Sequence, residues 1–174
     1  MKIYNVFLII MLSNVFVSCL IGGNVSDPDP WNNGDSGEVF WTDPDTGYKW
    51  SGISSDKFEQ EEARLYCLNL GKDETSGWRL PTIDELRTLI INCPSTETDG
   101  ECGVTDNCME SECYNSFCEG CKFSEEGIYS KMGDNDALLS DLNTEINSPW
   151  TVAFQFGGVG TDRAKNFVRC IKRK

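Results

Sequence analysis

The sequence predicts a mixed α+β domain, because helical and extended patterns both occur and neither dominates. Apolar side chains recur at helical spacing behind capping signals at 56–70 and 82–91. Short β-type runs lie near both ends of the domain, at 39–50 and 150–171. With 174 residues, of which 39% are hydrophobic, the chain can bury one core but hardly two. We therefore expect one domain with two helices packed on small antiparallel sheets.

Residues 1–18 are typical of a signal peptide, with one lysine ahead of an apolar run. The run is too short to be preferred as a membrane-spanning helix. It ends in Phe16-Val17-Ser18-Cys19, which resembles a bacterial lipobox, although Phe16 replaces the usual leucine. We expect Cys19 to be lipidated as the new N-terminus. Plain secretion after ordinary signal cleavage is the alternative.

Residues 19–38 are rich in Gly, Asn, Ser, Asp and Pro and carry almost no apolar side chain. Such a segment cannot bury enough apolar surface to offset the entropy of ordering. We interpret it as a lipid-anchored flexible tether that holds a domain at 39–174 off the membrane surface.

The domain is expected to begin with a β-hairpin, whose strands at 39–42 and 48–50 flank the turn formers of 43–47. Asp43 and Asp45 could suggest a calcium loop, but the spacing of an EF-hand is absent. We therefore expect no metal at this turn.

The first helix is expected over 56–70, with Asp56 as its cap and Glu59 completing a capping box. Gly71 follows as a stop signal. The face that should pack inward carries Ala63, Tyr66, Cys67 and Leu70. Cys67 is therefore expected to face the core.

The second helix has the clearer start, because Thr82 and Glu85 form a capping box and Pro81 suits the extended approach. Its acidic first turn favours the positive end of the helix dipole. Four apolar side chains then recur over 82–91: Ile83, Leu86, Leu89 and Ile90.

The run GWRLPTIDEL at 77–86 resembles the signature of the bacterial Lcl C-terminal domain family. Further blocks at 41–50, 63–67, 150–154 and 168–171 are similar to that family's ordered segments, so the resemblance covers roughly 39–174. It implies a C-type-lectin-like fold, shared with the sulfatase-modifying (formylglycine-generating) enzymes. In that fold a cysteine of the first helix pairs with one in the last strand, which implies a bond between Cys67 and Cys170. Closing about a hundred residues would stabilise the fold by roughly 4 to 5 kcal/mol.

Residues 93–121 are predicted to form a disulfide-rich insert, because they hold seven acidic residues, no basic ones and few large apolar side chains. Three disulfides would replace hydrophobic burial there, with 15 connectivities open. The six cysteines are Cys93, Cys102, Cys108, Cys113, Cys118 and Cys121. We expect a peripheral satellite that could be removed while the core remains folded.

A zinc knuckle or a redox-active pair is the alternative for this insert, since Cys118 and Cys121 have the two-residue gap that either would use. The chain has no histidine and no second pair at that spacing. The thiols of an exported chain are oxidised in the compartment that it reaches. Removal of Cys19 leaves eight cysteines, an even number that can all form pairs. Disulfides are therefore favoured, with no metal and no cofactor.

Residues 123–147 are expected to form long loops, which lie on the ligand side of the resembled fold. Residues 150–156 alternate large apolar and smaller side chains, so they predict a strand. The glycines at 157–160 are interpreted as a turn, with 166–171 as the returning strand of a hairpin.

Charge and composition exclude several classes of function. A net charge of −13 should repel nucleic acid, sulfated glycans and anionic lipid, whereas cationic partners and divalent ions such as calcium remain open. Without histidine there is no Ser-His or Cys-His nucleophile. Arg79 and Arg169 could form an anion-binding pair, but we favour structural arginines satisfied by carboxylates or carbonyls.

We therefore expect no enzyme but an exported bacterial lipoprotein of the cell envelope, whose domain binds a glycan or protein partner. The membrane would be reached only through the lipid anchor, and the sequence leaves the ligand and the oligomeric state open. A structural envelope or assembly protein without a small ligand is the alternative. Exposed aromatic rings would favour binding, because sugar faces stack on them.

Overall fold

The computed structural model describes residues 40–70, 77–141 and 148–173, which form an α+β fold of two three-stranded antiparallel sheets and two helices. The mixed class predicted from the sequence is confirmed. Within the described part of the chain, no helix is both long and apolar enough to span a bilayer. The predicted signal peptide, Cys19 and the tether all lie outside these residues.

The first sheet joins the predicted N-terminal hairpin to the end of the chain. Strand β1 (Phe40–Thr42) pairs with β2 (Lys49–Ser51), as predicted, and β2 pairs on its other side with β6 (Ile171–Lys172). Trp50 lies opposite both Trp41 and Ile171 and is fully buried. The two ends of the domain are thus held in one sheet.

The second sheet differs from the predicted hairpin. Strand β4 (Trp150–Ala153) pairs with β5 (Gly158–Thr161), so Gly157 remains in the turn, whereas Gly158 and Gly160 lie in the returning strand. A Cβ on Gly158 would lie 2.4 Å from the ring of Phe156 and 2.9 Å from the carbonyl of Glu119. Glycine therefore marks a close approach of backbones here. The segment 166–171 instead bridges β3 at Phe167 and joins the first sheet at Ile171.

A strand also occurs in the region predicted to be loops. Strand β3 (Ala137–Leu139) pairs antiparallel with β4 and carries the buried Leu138 and Leu139. The interpretation of 123–147 as loops is wrong for this segment, because three residues are too few for a periodic pattern to show. Residues 142–147 lie outside the described structure.

The first helix is shorter than predicted. Helix α1 spans Gln60–Asn69, and its cap is Glu59, whose N–H donates to the Glu62 carboxylate at 3.0 Å. Phe58 exchanges two backbone hydrogen bonds with Asn166, at 2.9 and 3.1 Å. This bridge keeps the chain before Glu59 extended, so the helix cannot begin at Asp56.

The second helix begins where predicted and ends earlier. Helix α2 spans Ile83–Arg87 and follows Thr82, whose capping box with Glu85 is present. The expected continuation to 91 is wrong, because Ile90 forms a bridge to Ser130 and Asn92 adopts a left-handed conformation (φ 59°). The apolar positions after α2 are nevertheless buried, since Leu89 and Ile90 join the core.

Buried apolar side chains form two clusters. The smaller one surrounds the bond between Cys67 of α1 and Cys170, both fully buried, and this bond confirms the pairing implied by the resemblance. The larger one lies between α2 and the second sheet, with Trp50, Trp150 and Phe154 among its members.

The larger cluster also includes part of the insert, contrary to the expected peripheral satellite. Val104 is completely buried in it, and the Trp150 indole donates to the carbonyl of Met109 at 2.9 Å. Four cysteines of the insert belong to the same cluster: Cys93, Cys102, Cys113 and Cys118. Disulfide sulfurs thus supply the apolar surface that the composition of 93–121 lacks.

Candidate binding cleft

All eight cysteines of the described domain are paired, as the sequence predicts. The bonds of the insert are local and nested one inside another, a connectivity that sequence reasoning left open. They join Cys93 to Cys121, Cys102 to Cys118 and Cys108 to Cys113. Cys118 and Cys121 therefore have different partners, and neither offers a thiolate to zinc.

Arg79 has a structural role at the N-terminus of α2. Its guanidinium donates to both carboxylate oxygens of Glu85, at 2.7 and 2.6 Å, and to the carbonyl of Leu80 at 3.0 Å. The hydrogen bond to Glu85 raises the pKa of Arg79 despite its partial burial. Burial opposes ionisation of Glu85, but the bonds from Arg79 and the Thr82 N–H outweigh it and lower the Glu85 pKa.

Arg169 is likewise held by protein groups. It is buried, donates to both carboxylate oxygens of Asp134, at 2.6 Å to one and 3.1 Å to the other, and reaches the carbonyl of Ser51 at 2.7 Å. The two arginines thus have separate acidic partners. The preferred structural interpretation holds for both, and they do not form a joint anion site.

Sequence reasoning missed a third arginine that is more deeply buried than either. Arg87 is 1% exposed, and its guanidinium donates to three carbonyls of the insert: Thr96 at 2.9 Å, Glu97 at 2.6 Å and Val104 at 2.6 Å. Burial lowers its pKa, while nearby Asp84 favours the charged form. A basic residue at the C-terminal end of a helix is commonly explained by its favourable interaction with the helix dipole. The sequence therefore did not indicate that Arg87 would be buried against the insert.

A cleft of about 400 Å³ lies where the insert meets β5. On the insert side, Ser111 belongs to a 3-10 helix (Ser111–Cys113) and Tyr114 follows it directly. The Tyr114 ring is 41% exposed and stacks on Trp150, with ring centroids 6.5 Å apart and an angle of 16° between the planes. The buried tryptophan thereby fixes the orientation of an aromatic ring that faces solvent.

The opposite wall is strand β5, through Gly160 and Thr161. The Thr151 hydroxyl donates to the carbonyl of Gly160 at 3.2 Å, which adds a side-chain bond to the pairing of β4 with β5. A Cβ built on Gly160 meets no atom within 4 Å, so this glycine leaves space in the cleft. Thr161 is exposed at the end of the strand.

An adjoining cavity of about 430 Å³ shares Tyr114, Gly160 and Thr161 with the cleft and adds two acidic residues, Glu119 and Asp162. Asp162 accepts from the N–H of Ala164 at 2.8 Å and from the Asn166 amide at 3.0 Å. These hydrogen bonds, chiefly the one from Ala164, favour the charged form and hold the pKa of Asp162 below its ordinary value. Its carboxylate is therefore ionised at neutral pH.

The cleft differs in position from the predicted ligand side. Of the described residues in the region 123–147, none lines the cleft and Ala137 alone lines the adjoining cavity, while Phe123 and Ile128 are exposed elsewhere on that segment. The insert supplies Tyr114, one of the few large side chains in that segment. An aromatic residue in an otherwise polar, disulfide-framed segment is the signal that could have indicated the site.

Comparisons of this chain with protein families, with curated proteins and with solved structures find no match.

Proposed function

We propose that this protein is an exported, non-enzymatic binding module that takes a glycan in the cleft between the insert and β5. The observation that carries the proposal is the exposed ring of Tyr114, held by its stack on buried Trp150. A fixed aromatic ring binds the apolar face of a sugar without the entropy loss of ordering a mobile side chain.

Polar groups around the ring support the same ligand class. Ser111 and exposed Thr161 line the cleft with hydroxyls, and the Glu119 and Asp162 carboxylates line its extension. Sugar hydroxyls donate to carboxylates and exchange hydrogen bonds with hydroxyls. The lining residues include no lysine or arginine, so a neutral or aminated glycan fits better than a sulfated one.

The location and finer fold belong to the same proposal. Four disulfides are typical of a protein that folds in an oxidising compartment. We propose lipidation at Cys19 as the anchor, and the C-type-lectin-like fold and membership of the Lcl C-terminal domain family as the framework. Mass spectrometry of the mature N-terminus tests the anchor, and an unmodified terminus at another residue would contradict it.

The experiment is a glycan array probed with the mature chain carrying Cys19→Ser, followed by titration of each hit. Tyr114→Ala should weaken binding about tenfold, because the stacking surface is lost. Gly160→Leu should also block binding, since its side chain would occupy the free space beside β5. Neither change removes a core side chain, so both variants should stay folded.

Phe123→Ala is the matched control, because Phe123 is an exposed aromatic residue (60%) that does not line the cleft. Its affinity should equal that of the parent. A glycan bound equally by the Tyr114 and Gly160 variants would move the site elsewhere. An array without hits would favour the alternative of a structural envelope protein.

A further inference from the structure

Seven of the eight paired cysteines are at least partly buried, and Cys108 is exposed. Its partner Cys113 is 7% exposed, so the bond can be reached from the Cys108 side. The nearest competitor is the bond of Cys93 to Cys121, in which Cys93 is fully buried and Cys121 partly exposed. Thiol–disulfide exchange requires in-line access of a thiolate to one sulfur, so exposure ranks the Cys108–Cys113 bond first.

This bond closes a short loop at the edge of the cleft. Between the two cysteines, Met109 accepts the Trp150 indole hydrogen bond and Ser111 lines the cleft. Tyr114, which stacks on Trp150, follows Cys113 directly. One covalent bond therefore constrains several groups that position the aromatic ring.

We propose that the Cys108–Cys113 disulfide is a site of thiol–disulfide exchange with a dithiol reductant, and that its redox state sets the order of the cleft wall at 109–114. This inference goes beyond the proposed function, because it requires no ligand. The other three bonds keep the core closed while this one opens.

The exchange balances with a dithiol as the source of electrons. One thiolate of the reductant attacks the Cys108 Sγ, the bond to Cys113 breaks, and the Cys113 thiolate takes up a proton. The second thiolate then attacks its own sulfur in the mixed disulfide and releases Cys108, which is also protonated. The reductant leaves as a disulfide, so two electrons and two protons have passed to the protein.

Reduction should loosen the loop without unfolding its base. Thr105 and Cys108 exchange two backbone hydrogen bonds of 3.0 Å, which hold the chain before the loop. Within the loop, the Cys113 N–H donates to Glu110 at 3.1 Å and the Tyr114 N–H to Ser111 at 3.2 Å. These two amides belong to a single short turn, so they depend on the disulfide that closes it.

The first test is graded reduction of the folded protein with dithiothreitol, followed by acid trapping, alkylation and peptide mass spectrometry. Cys108 and Cys113 should become labelled at a dithiothreitol concentration about tenfold below that needed for any other pair. Prior labelling of Cys93 and Cys121, or release of all four bonds together, would overturn the proposal.

The second test is hydrogen exchange of the partly reduced protein, which needs no ligand. The Cys113 and Tyr114 amides should exchange about tenfold faster than in the oxidised protein, and reoxidation should restore them. The Cys102 amide, which donates to Ser95 at 2.9 Å elsewhere in the insert, is the internal control and should not change. A double variant, Cys108→Ser with Cys113→Ser, should reproduce the reduced pattern. Unchanged exchange over 109–114 would overturn the link between the bond and the cleft wall.

Discussion

Helix α1 and the insert at 93–121 reverse the roles that their compositions suggest. The helix has the apolar periodicity of a core element, yet it buries only Ala63 and Cys67 and leaves Leu65 and Leu68 more than half exposed. The insert has the composition of a solvated loop, yet it places a completely buried valine and four cysteines in the larger cluster. Apolar content thus predicts poorly which segment is central when disulfides supply the buried surface.

Arg87 explains part of this reversal. A buried guanidinium needs acceptors for its N–H groups, and the insert supplies three backbone carbonyls. The insert therefore supplies hydrogen-bond acceptors to the arginine at the end of α2, and it also covers the larger cluster. In contrast, α1 is attached to the smaller cluster chiefly through one disulfide.

Replacing 93–121 with a short Gly-Ser link should have the largest effect on stability of the changes proposed for α1 and the insert. We expect loss of cooperative folding, because the larger cluster would lose five buried members and Arg87 its acceptors. Circular dichroism melting measures this. A variant with Glu101→Gln and Glu119→Gln, which changes charge but keeps the backbone, should melt as the parent does. A cooperative melt of the deletion would restore the view of the insert as a peripheral satellite.

The disulfides should differ in their contributions according to the loops that they close. Replacing Cys67 and Cys170 with alanine removes a bond across 103 residues and should cost roughly 4 to 5 kcal/mol of unfolding free energy. The same change at Cys102 and Cys118, 16 residues apart, should cost ~3 kcal/mol. Denaturant titration measures both changes. A larger loss of unfolding free energy for the second pair would show that the bond in the insert contributes more to stability than the bond between α1 and the last strand.

Arg87→Met should destabilise the fold by about 3 kcal/mol, because three buried carbonyls would lose their donor. Arg64→Met on α1 is the matched control: its side chain is 47% exposed, so the ion pair with Asp141 should contribute less than ~1 kcal/mol. Equal effects on the unfolding free energy would show that the insert does not depend on Arg87.

Glu85→Gln should have the smallest effect, ~2 kcal/mol at neutral pH, and the effect should depend on pH. The folded pKa of Glu85 is lowered from its ordinary value of 4.5, so its ionised form stabilises the protein above that pH. The advantage is lost as the pH falls through the lowered pKa, where parent and variant should converge. Stability curves between neutral and acid pH measure it, and a constant difference would mean that the ion pairs of Glu85 with Arg79 and Arg173 are not responsible.

Asp84 provides a comparison for this titration. Burial raises the pKa of Asp84, whereas the pKa of the adjacent Glu85 is lowered. The ionised form of Asp84 is therefore disfavoured by folding, and Asp84→Asn should not reproduce the pH dependence of Glu85→Gln. Burial disfavours both carboxylates, so the contrast arises from their partners: two bonds from Arg79 overcome burial at Glu85, whereas the single bond from the Asp106 N–H does not overcome it at Asp84.

Features that depend on neighbours along the chain could be predicted from the sequence. The first hairpin, the start of α2 at the Thr82 box and the inward face of α1 all follow from local hydrogen bonding and side-chain spacing. The pairing of Cys67 with Cys170 was also available, though only through a resemblance to a known family.

The position of the insert, the strand pairing of the second sheet and the deep burial of Arg87 could not be predicted from the sequence and are seen in the three-dimensional fold. In the sequence, Gly158 is typical of a turn. In the fold, the carbonyl of Glu119 lies so close to Gly158 that a side chain would not fit. The acceptors of Arg87 are backbone carbonyls. Every residue has a backbone carbonyl, so no sequence motif indicates which ones will accept these hydrogen bonds. Tyr114 gains its orientation from Trp150, 36 positions away along the chain. Each of these contacts joins segments distant in sequence, and local patterns do not encode such contacts because the groups that meet are common to many possible folds.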